Sequence, residues 1–325
     1  MVEITYREAI VAALREEMQR DENVILMGED IGESGGPFKT TDGLFTEFGG
    51  DRVRDTPISE NAFVGAALGM AVTGLRPVVE LMFADFMAVC YDQIGNSIAK
   101  HRFMCGGELK LPLVIRAMGG GGIRFGAQHT QTGEGWLLPF PGLVVLVPSS
   151  PTDAYDMLKY AVRSDNPVLV LEHKGLMNVK GDVEVGRDSA PLRIDPKIKR
   201  EGSDVSVVAS LAMVPRALEA ADRLAQEGIE LEVIDLSRLR PMDTTIAAQS
   251  VRKTNRLVVV EENHRPGGWG GEVSSAVLTE AFDFFDAPPE LVSLPDWPMP
   301  YSPDLEDSAI PSVEKIIDAV RTTLA

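Results

Sequence analysis

Cysteine is nearly missing from this chain. Cys90 and Cys105 are the only two in 325 residues, too few for a disulfide framework or a zinc set, and a reducing compartment is the default expectation. Histidine is scarce too. His101, His129, His173 and His264 are dispersed without HxH or HExxH spacing, so a transition-metal site built by the protein is not expected. No window holds about 18 uninterrupted apolar residues, which argues against a membrane-spanning helix. A helix-like pattern begins at once with no targeting signature before it, and a cytoplasmic location is expected. Positive charge is in deficit: 31 Lys and Arg face 49 Asp and Glu, a net charge of −18. That disfavours nucleic acid and anionic membranes as partners. It suits a basic protein partner, or simply solubility.

Phosphate-binding signatures are absent as well. The run Gly119 to Gly122 leads into Arg124 and Phe125 rather than GxGxxG, Gly267-Gly-Trp-Gly-Gly271 also departs from it, and no GxxxxGK[ST] occurs. Tight turns at strand ends account for both runs equally well. There is no internal repeat and no low-complexity tract.

What is present is an alternation of strands and helices. Thr5-Tyr-Arg-Glu8 reads as a capping box, followed by apolar positions at helical spacing. Apolar runs at 24–27, 77–81, 113–117, 143–147 and 168–171 read as buried strands. Helical stretches are expected from near Ser59, from Asp85 to about Arg102, and over 152–163. Strands apolar on both faces and separated by helices indicate a parallel sheet. The charged, weakly periodic segment 174–203 reads as a connection, after which the alternation restarts at Val205 and runs to Leu324. The expected organisation is therefore α/β: a parallel-sheet domain over 1–185, a linker over 186–203 and a smaller α/β domain over 204–325.

Three places could carry chemistry. Pro57-Ile58-Ser59-Glu60 puts a carboxylate in the first turn of a helix dominated by alanine and glycine. Such an acid often only complements the helix dipole; alternatively, a buried carboxylate facing a ligand can share a proton with it. Glu80 to Phe86 crosses from a strand into a helix, where Phe83 and Phe86 serve either as core or as an aromatic platform. Phe125 to Gln131 puts His129 on an irregular loop after a parallel strand, where open α/β sheets bind ligands.

Together these blocks resemble the beta subunit of the first component of 2-oxo acid dehydrogenase complexes, the group containing the pyruvate, branched-chain and acetoin enzymes. The resemblance runs nearly end to end, through TYREAI, PISENAFVGAALG, GAQHTQ, EVIDLSRLRPMD, VVVEENHRPGGWGGEV and PDWPMPYSPDLED. It implies a parallel-sheet pyrimidine-binding domain followed by a smaller transketolase C-terminal-like domain, with thiamine diphosphate as cofactor. Glu60 matches the glutamate that hydrogen-bonds the aminopyrimidine ring. Phe86 matches an aromatic stacked on that ring, and Ile58 and Met82 match positions lining the same pocket. His129 matches a histidine that assists acyl transfer to a lipoyl dithiolane as proton donor or by orienting it. Leu113, Ala161, Val162, Ser164 and Asn166 resemble a potassium site, although Ser164 stands where ion-binding members often have Asp.

One departure from single-chain thiamine enzymes is informative. They anchor the diphosphate through Mg²⁺ with Gly-Asp-Gly and a later Asn, and no Gly-Asp-Gly occurs here. The resemblance therefore implies that an alpha subunit ligates Mg²⁺ and supplies the diphosphate half, in an α₂β₂ heterotetramer. It further implies docking of a basic domain of the lipoyl acyltransferase core, which the acidic excess and the carboxylate of Ala325 would suit. The expected reaction is decarboxylation of a 2-oxo acid, with pyruvate put first and acetoin or branched-chain substrates as alternatives. From other classes, a non-catalytic assembly protein of the same fold would have lost Glu60, Phe86 or His129. An NAD(P) oxidoreductase would carry the missing glycine fingerprint.

Overall fold

The computed structural model describes residues 1–187, 192 and 194–325. Thr5 opens the first helix, Tyr6–Arg20. Its hydroxyl accepts from the Glu8 amide while the Glu8 carboxylate takes the Thr5 amide at 2.7 Å, the reciprocal capping box expected from the sequence. Apolar residues of that helix at 10, 13, 14 and 18 are buried.

Contacts divide the chain into two units: 1–119 with 139–194, and 120–138 with 195–325. In the first unit, β1 (Val2–Thr5) pairs antiparallel with β8 (Lys180–Val183). The main sheet is formed by β2 (Val24–Gly28), β3 (Val53–Asp55), β4 (Arg76–Leu81), β5 (Val114–Gly119), β6 (Val144–Leu146) and β7 (Val168–His173). They lie in the order β6-β7-β5-β4-β2-β3, every pair parallel. β2, β5 and β7 are buried along their whole length, as apolar runs with helices on both faces require.

The second unit holds β9 (Lys197–Arg200), β10 (Val205–Ala209), β11 (Leu231–Asp235), β12 (Arg238–Arg240), β13 (Leu257–His264) and β14 (Glu290–Leu294). Its five-stranded sheet runs β14-β13-β10-β11-β9, parallel except for the antiparallel edge strand β9. β12 lies outside that sheet.

Three expectations need correction. Residues 120–138, read as part of a continuous first domain ending at 185, cluster with the second unit. The reason is side-chain chemistry far along the chain, described below. The segment 174–203, read as a weakly periodic connection, contributes β8 and β9; both are short, charged edge strands whose partners, not their own pattern, create them. Within the expected linker 186–203, residues 188–191 and 193 lie outside the described residues. Finally, the helix expected over 85–102 is broken into a 3-10 turn at Ala84–Ala88, a π-helical stretch at Gln93–Ile98 and a helix at Ala99–Met104. Gly95 sits in the π stretch where a Cβ would come within 2.5 Å of the Phe140 ring. The broken helix thus passes close beneath an aromatic that a regular alanine-bearing helix would strike.

Candidate active site

Parallel pairing decides which loops converge. Gly28 lies beside Asp55 in the β2–β3 ladder and beside Glu80 in the β2–β4 ladder, so the turns that follow emerge together at the C-terminal edge of the sheet. Open α/β sheets bind ligands there. Glu29 follows β2. Glu60 opens the helix Glu60–Val72 a few residues after β3, and Phe86 lies in the turn after β4.

Glu60 is 6% exposed, and its carboxylate has no hydrogen bond among the described residues. Ser59, the cap residue before it, makes no side-chain capping bond either. Glu29 is buried beside it with Oε1 unpartnered. Burial, then the charges of Glu60 and Asp30, push the Glu29 carboxyl above the usual carboxylate range. Cys90 completes the cluster. Its thiol reaches the Phe86 carbonyl at 3.8 Å, and burial, then the Glu60 charge, push it up to about 12, so it stays a neutral thiol. Phe86 is half-buried and meets Phe83 edge-to-face at 5.6 Å between centroids. Met82 is half-buried, whereas Ile58 is 86% exposed. Two buried acids without partners, one half-buried ring and an exposed apolar side chain thus lie on the segments that leave this edge. These features fit an aminopyrimidine, which offers ring nitrogens to acids and a flat face to an aromatic.

The helix behind Glu60 is less packed than its composition suggests. Gly65 is close to Gln93, where a Cβ would lie 3.2 Å from the amide oxygen. Ala62, Ala66 and Gly69 are exposed, and nothing lies within 4 Å of where a Gly69 Cβ would be.

Below the edge, a buried ion network spans three strands. Arg116 on β5 is 1% exposed. Its guanidinium grips both oxygens of Glu172 on β7, at 2.7 and 2.8 Å, and reaches Glu80 on β4 at 2.6 Å. Thr40 also donates to Glu80, while the other Glu80 oxygen is unpartnered. Fork-to-carboxylate bonding of this kind fixes geometry as much as it adds energy. It locks the strand that leads into Phe83 and Phe86.

The residues resembling a potassium site fit the ion poorly. Nη1 of Arg76 already donates to the Val162 and Ser164 carbonyls at 3.0 and 3.2 Å, and Leu113 accepts from Val168. Arg102 donates to the Asn166 side chain, while Arg76 and Lys110 both pair with Asp165. Ala161 accepts from Ser164. A further cation would enter a neighbourhood where two basic side chains, Arg76 and Lys110, already share the Asp165 carboxylate and Arg102 lies beside them.

His129 belongs to the second unit, half-buried on the loop between Gly120 and Gly133. The glycine run that opens this loop does not await a phosphate, because its amides are taken by carboxylates of the same unit. Gly121 donates to Glu262 at 2.6 Å, Gly122 to Glu306 at 2.8 Å and Arg124 to Glu306 at 3.1 Å. Farther along, Thr132 donates to the Glu262 carbonyl and to Asn263. Buried Glu134 accepts from Ser210, Asn263 and Trp269. These bonds carry residues 120–138 into the second unit. A cavity of about 480 Å³ lies beside the loop, between Thr130, Trp136, Glu262, His264, Trp297 and Met299; Glu60 and Phe86 do not line it.

The fold agrees with the relatives. Residues 2–180 match the transketolase pyrimidine-binding domain, and residues 195–316 match the transketolase C-terminal domain. The chain is 45% identical to the beta subunit of acetoin:2,6-dichlorophenolindophenol oxidoreductase of Cupriavidus necator, over 99% of this chain and 97% of that one. It is 44% identical to the pyruvate dehydrogenase E1 component subunit beta of Rickettsia conorii, over 98% of each. A solved structure described as a split-gene transketolase, an inactive beta4 tetramer, superposes with a TM-score of 0.78 at 27% identity, covering 99% of this chain and 98% of that one. The chain belongs to the E1 beta-subunit family of the pyruvate and acetoin dehydrogenases.

In this family member, Glu60, Phe86, Ile58 and Met82 all fall within the pyrimidine-binding match, and Glu60 and Phe86 share one edge of one sheet. Two further residues matter that the sequence reading passed over. Glu29 was visible only as the acid ending the apolar run 24–27. Glu306 gave no signal, because the groups it binds are backbone amides 182 to 184 positions away. No helix among the described residues is long and apolar enough to cross a membrane.

Proposed function

We propose that this chain is the beta half of a split thiamine-diphosphate enzyme that decarboxylates a 2-oxo acid, pyruvate first, and passes the acyl group to a lipoyl domain. The observation that carries this reading is Glu60: a buried acid with no partner, at the mouth of a sheet edge whose apolar wall, Ile58, is left bare. A buried polar group with no partner destabilises a fold, so its presence points to a ligand that completes it. Bound thiamine diphosphate supplies a carbon nucleophile and an electron sink for the decarboxylation.

Glu60 would hold a proton against the ring nitrogen of the aminopyrimidine, and Phe86 would stack on the ring with Met82 and Ile58 flanking it. The chain lacks a Gly-Asp-Gly anchor, so an alpha subunit would hold the diphosphate through Mg²⁺, in an α₂β₂ assembly. His129 would donate a proton to, or orient, the dithiolane during acyl transfer. The reading extends to docking on the acyltransferase core through the acidic surface, and to a cytoplasmic setting. It makes no use of a potassium ion.

Acetoin is the second substrate reading, supported by the Cupriavidus relative at 45% identity. Calorimetry with thiamine diphosphate and Mg²⁺, on the chain alone and co-expressed with its alpha partner, tests the split site. Tight binding should require the pair, and tight binding by the chain alone would sink that reading. Dye-linked turnover of the pair with pyruvate, branched-chain 2-oxo acids and acetoin then decides the substrate.

A further inference from the structure

We infer that Glu306 is a positioning residue for His129, acting through the glycine run rather than on any substrate; this rests on the role proposed for His129. The loop from Gly120 to Gly133 has no regular structure before its last residues, and its conformation is unusual. Gly122 has φ +92°, and Arg124, which carries a side chain, has φ +67°, a region that disfavours residues with a Cβ. Something outside the loop must hold it.

Glu306 is fully buried on the helix Pro303–Ala309, and both of its oxygens face the loop. One accepts from the Gly122 amide. The other accepts from the Arg124 amide and from the Arg124 guanidinium at 2.7 Å. Asp307 takes two further bonds from the same guanidinium at 2.8 and 2.7 Å. Two residues of the loop, Gly122 and Arg124, are therefore tied by three bonds to one carboxylate, with Glu262 holding the Gly121 amide beside it. Close packing seals the arrangement, since a Cβ on Gly121 would lie 2.9 Å from Ile310. The loop closes on itself where Gly120 donates to the Gln131 carbonyl, and His129 sits inside that closure, its own amide donating to Gly126 at 3.3 Å. The covalent run from Arg124 to Gly126, whose carbonyl accepts from the His129 amide, thus links the clasp to the residue that carries the imidazole. Small displacements of a catalytic group cost rate steeply.

Glu306→Gln tests this. The amide has one acceptor oxygen and must turn its NH2 donor toward either Gly122 or Arg124, both of which are donors, so one side of the clasp is lost while volume is kept. The assay uses the assembled enzyme, with its alpha partner, thiamine diphosphate and Mg²⁺. It compares acylation of a lipoyl domain with dye-linked decarboxylation. The expected result is a fall of about tenfold to a hundredfold in the ratio of the two rates. His129→Ala should lower the same ratio, and adding Glu306→Gln to His129→Ala should lower it no further. An undiminished ratio in Glu306→Gln while His129→Ala lowers it would overturn the inference and leave the His129 reading standing. An equal further drop in the double variant would also overturn it, since Glu306 would then act elsewhere. An unchanged ratio in His129→Ala would remove the His129 reading, and the inference with it. Should Glu306→Gln not fold, Arg124→Gln at the half-buried end of the same clasp is read by the same two rates and the same criteria.

Discussion

Buried acids are treated in opposite ways at the two candidate sites of this chain. At the sheet edge of the first unit, Glu29 and Glu60 lie in the interior with no counter-group: one Glu29 oxygen is unpartnered, and Glu60 makes no hydrogen bond among the described residues. In the second unit, Glu306 and Glu134 are equally buried, yet every oxygen of both is committed to amides, a hydroxyl, an indole or a guanidinium. Fully satisfied carboxylates fix a conformation, and unsatisfied ones lower stability until something binds. On the function proposed above, the difference would separate the acids that hold a site from those kept for a ligand.

The sharpest way to break that distinction is Glu60→Gln. If Glu60 is kept for a ligand, the substitution should lower turnover of the assembled enzyme by about a hundredfold or more, while the chain's melting temperature stays level or rises. A variant that melts markedly lower, or one that keeps near-wild-type turnover, would put Glu60 among the structural acids. Arg116→Met probes the opposite class. It leaves Glu80 and Glu172 buried without their shared cation, and breaking such a network should cost about 3–5 kcal/mol in urea unfolding. A loss below about 1 kcal/mol would mean that the two acids find protons or water easily, and that the network is not what locks the strands leading to Phe83 and Phe86.

How much of this could be read from the residues alone follows the same division. The parallel sheets were legible because β2, β5 and β7 are buried on both faces and so are apolar but for Arg116, Glu172 and His173. The first helix was legible because its capping box is local. Glu60 and Phe86 were reachable through a matching motif, and before that only as an acid in a helix's first turn and an aromatic in a strand-to-helix turn. The placement of 120–138 was not legible. The partners that draw it into the second unit are Glu262, Asn263, Trp269 and Glu306, more than a hundred positions away, and they act largely on backbone amides, which every residue but proline possesses. Edge strands β8 and β9 were missed for a related reason: their charged sequences fit a strand only once a neighbour is supplied. The glycine runs were ambiguous because a glycine that admits a phosphate and one that admits a carboxylate look alike. Gly268 and Gly270, where a Cβ would come within 2.5 and 2.8 Å of the Glu261 carboxylate, are of the second kind.

Glu261 gives the finest test, because it falls between the two classes. One oxygen accepts from the Gly270 amide at 3.0 Å and the other is unpartnered. Burial, and after it the charge of nearby Glu134, push this carboxyl up to about 8 from its ordinary 4.5, against the opposing amide bond. Below about pH 4.5 it is protonated whether the chain is folded or not. Between there and about 8 it is protonated only in the folded chain, so unfolding releases a proton and stability falls as pH rises. Above 8 the loss is complete. The slope in that window is up to about 1.4 kcal/mol per pH unit. Glu261→Gln removes this titration while keeping an acceptor for Gly270, and Glu134 titrates in both proteins and largely cancels. Urea unfolding at pH 5.5, 6.5, 7.5 and 8.5 should therefore show the variant gaining on the parent by about 2–3 kcal/mol across the series, with most of the gain below pH 8. Parallel curves would mean that Glu261 is ionised and satisfied in the fold. Glu261 would then join Glu306 among the acids that hold the second unit together.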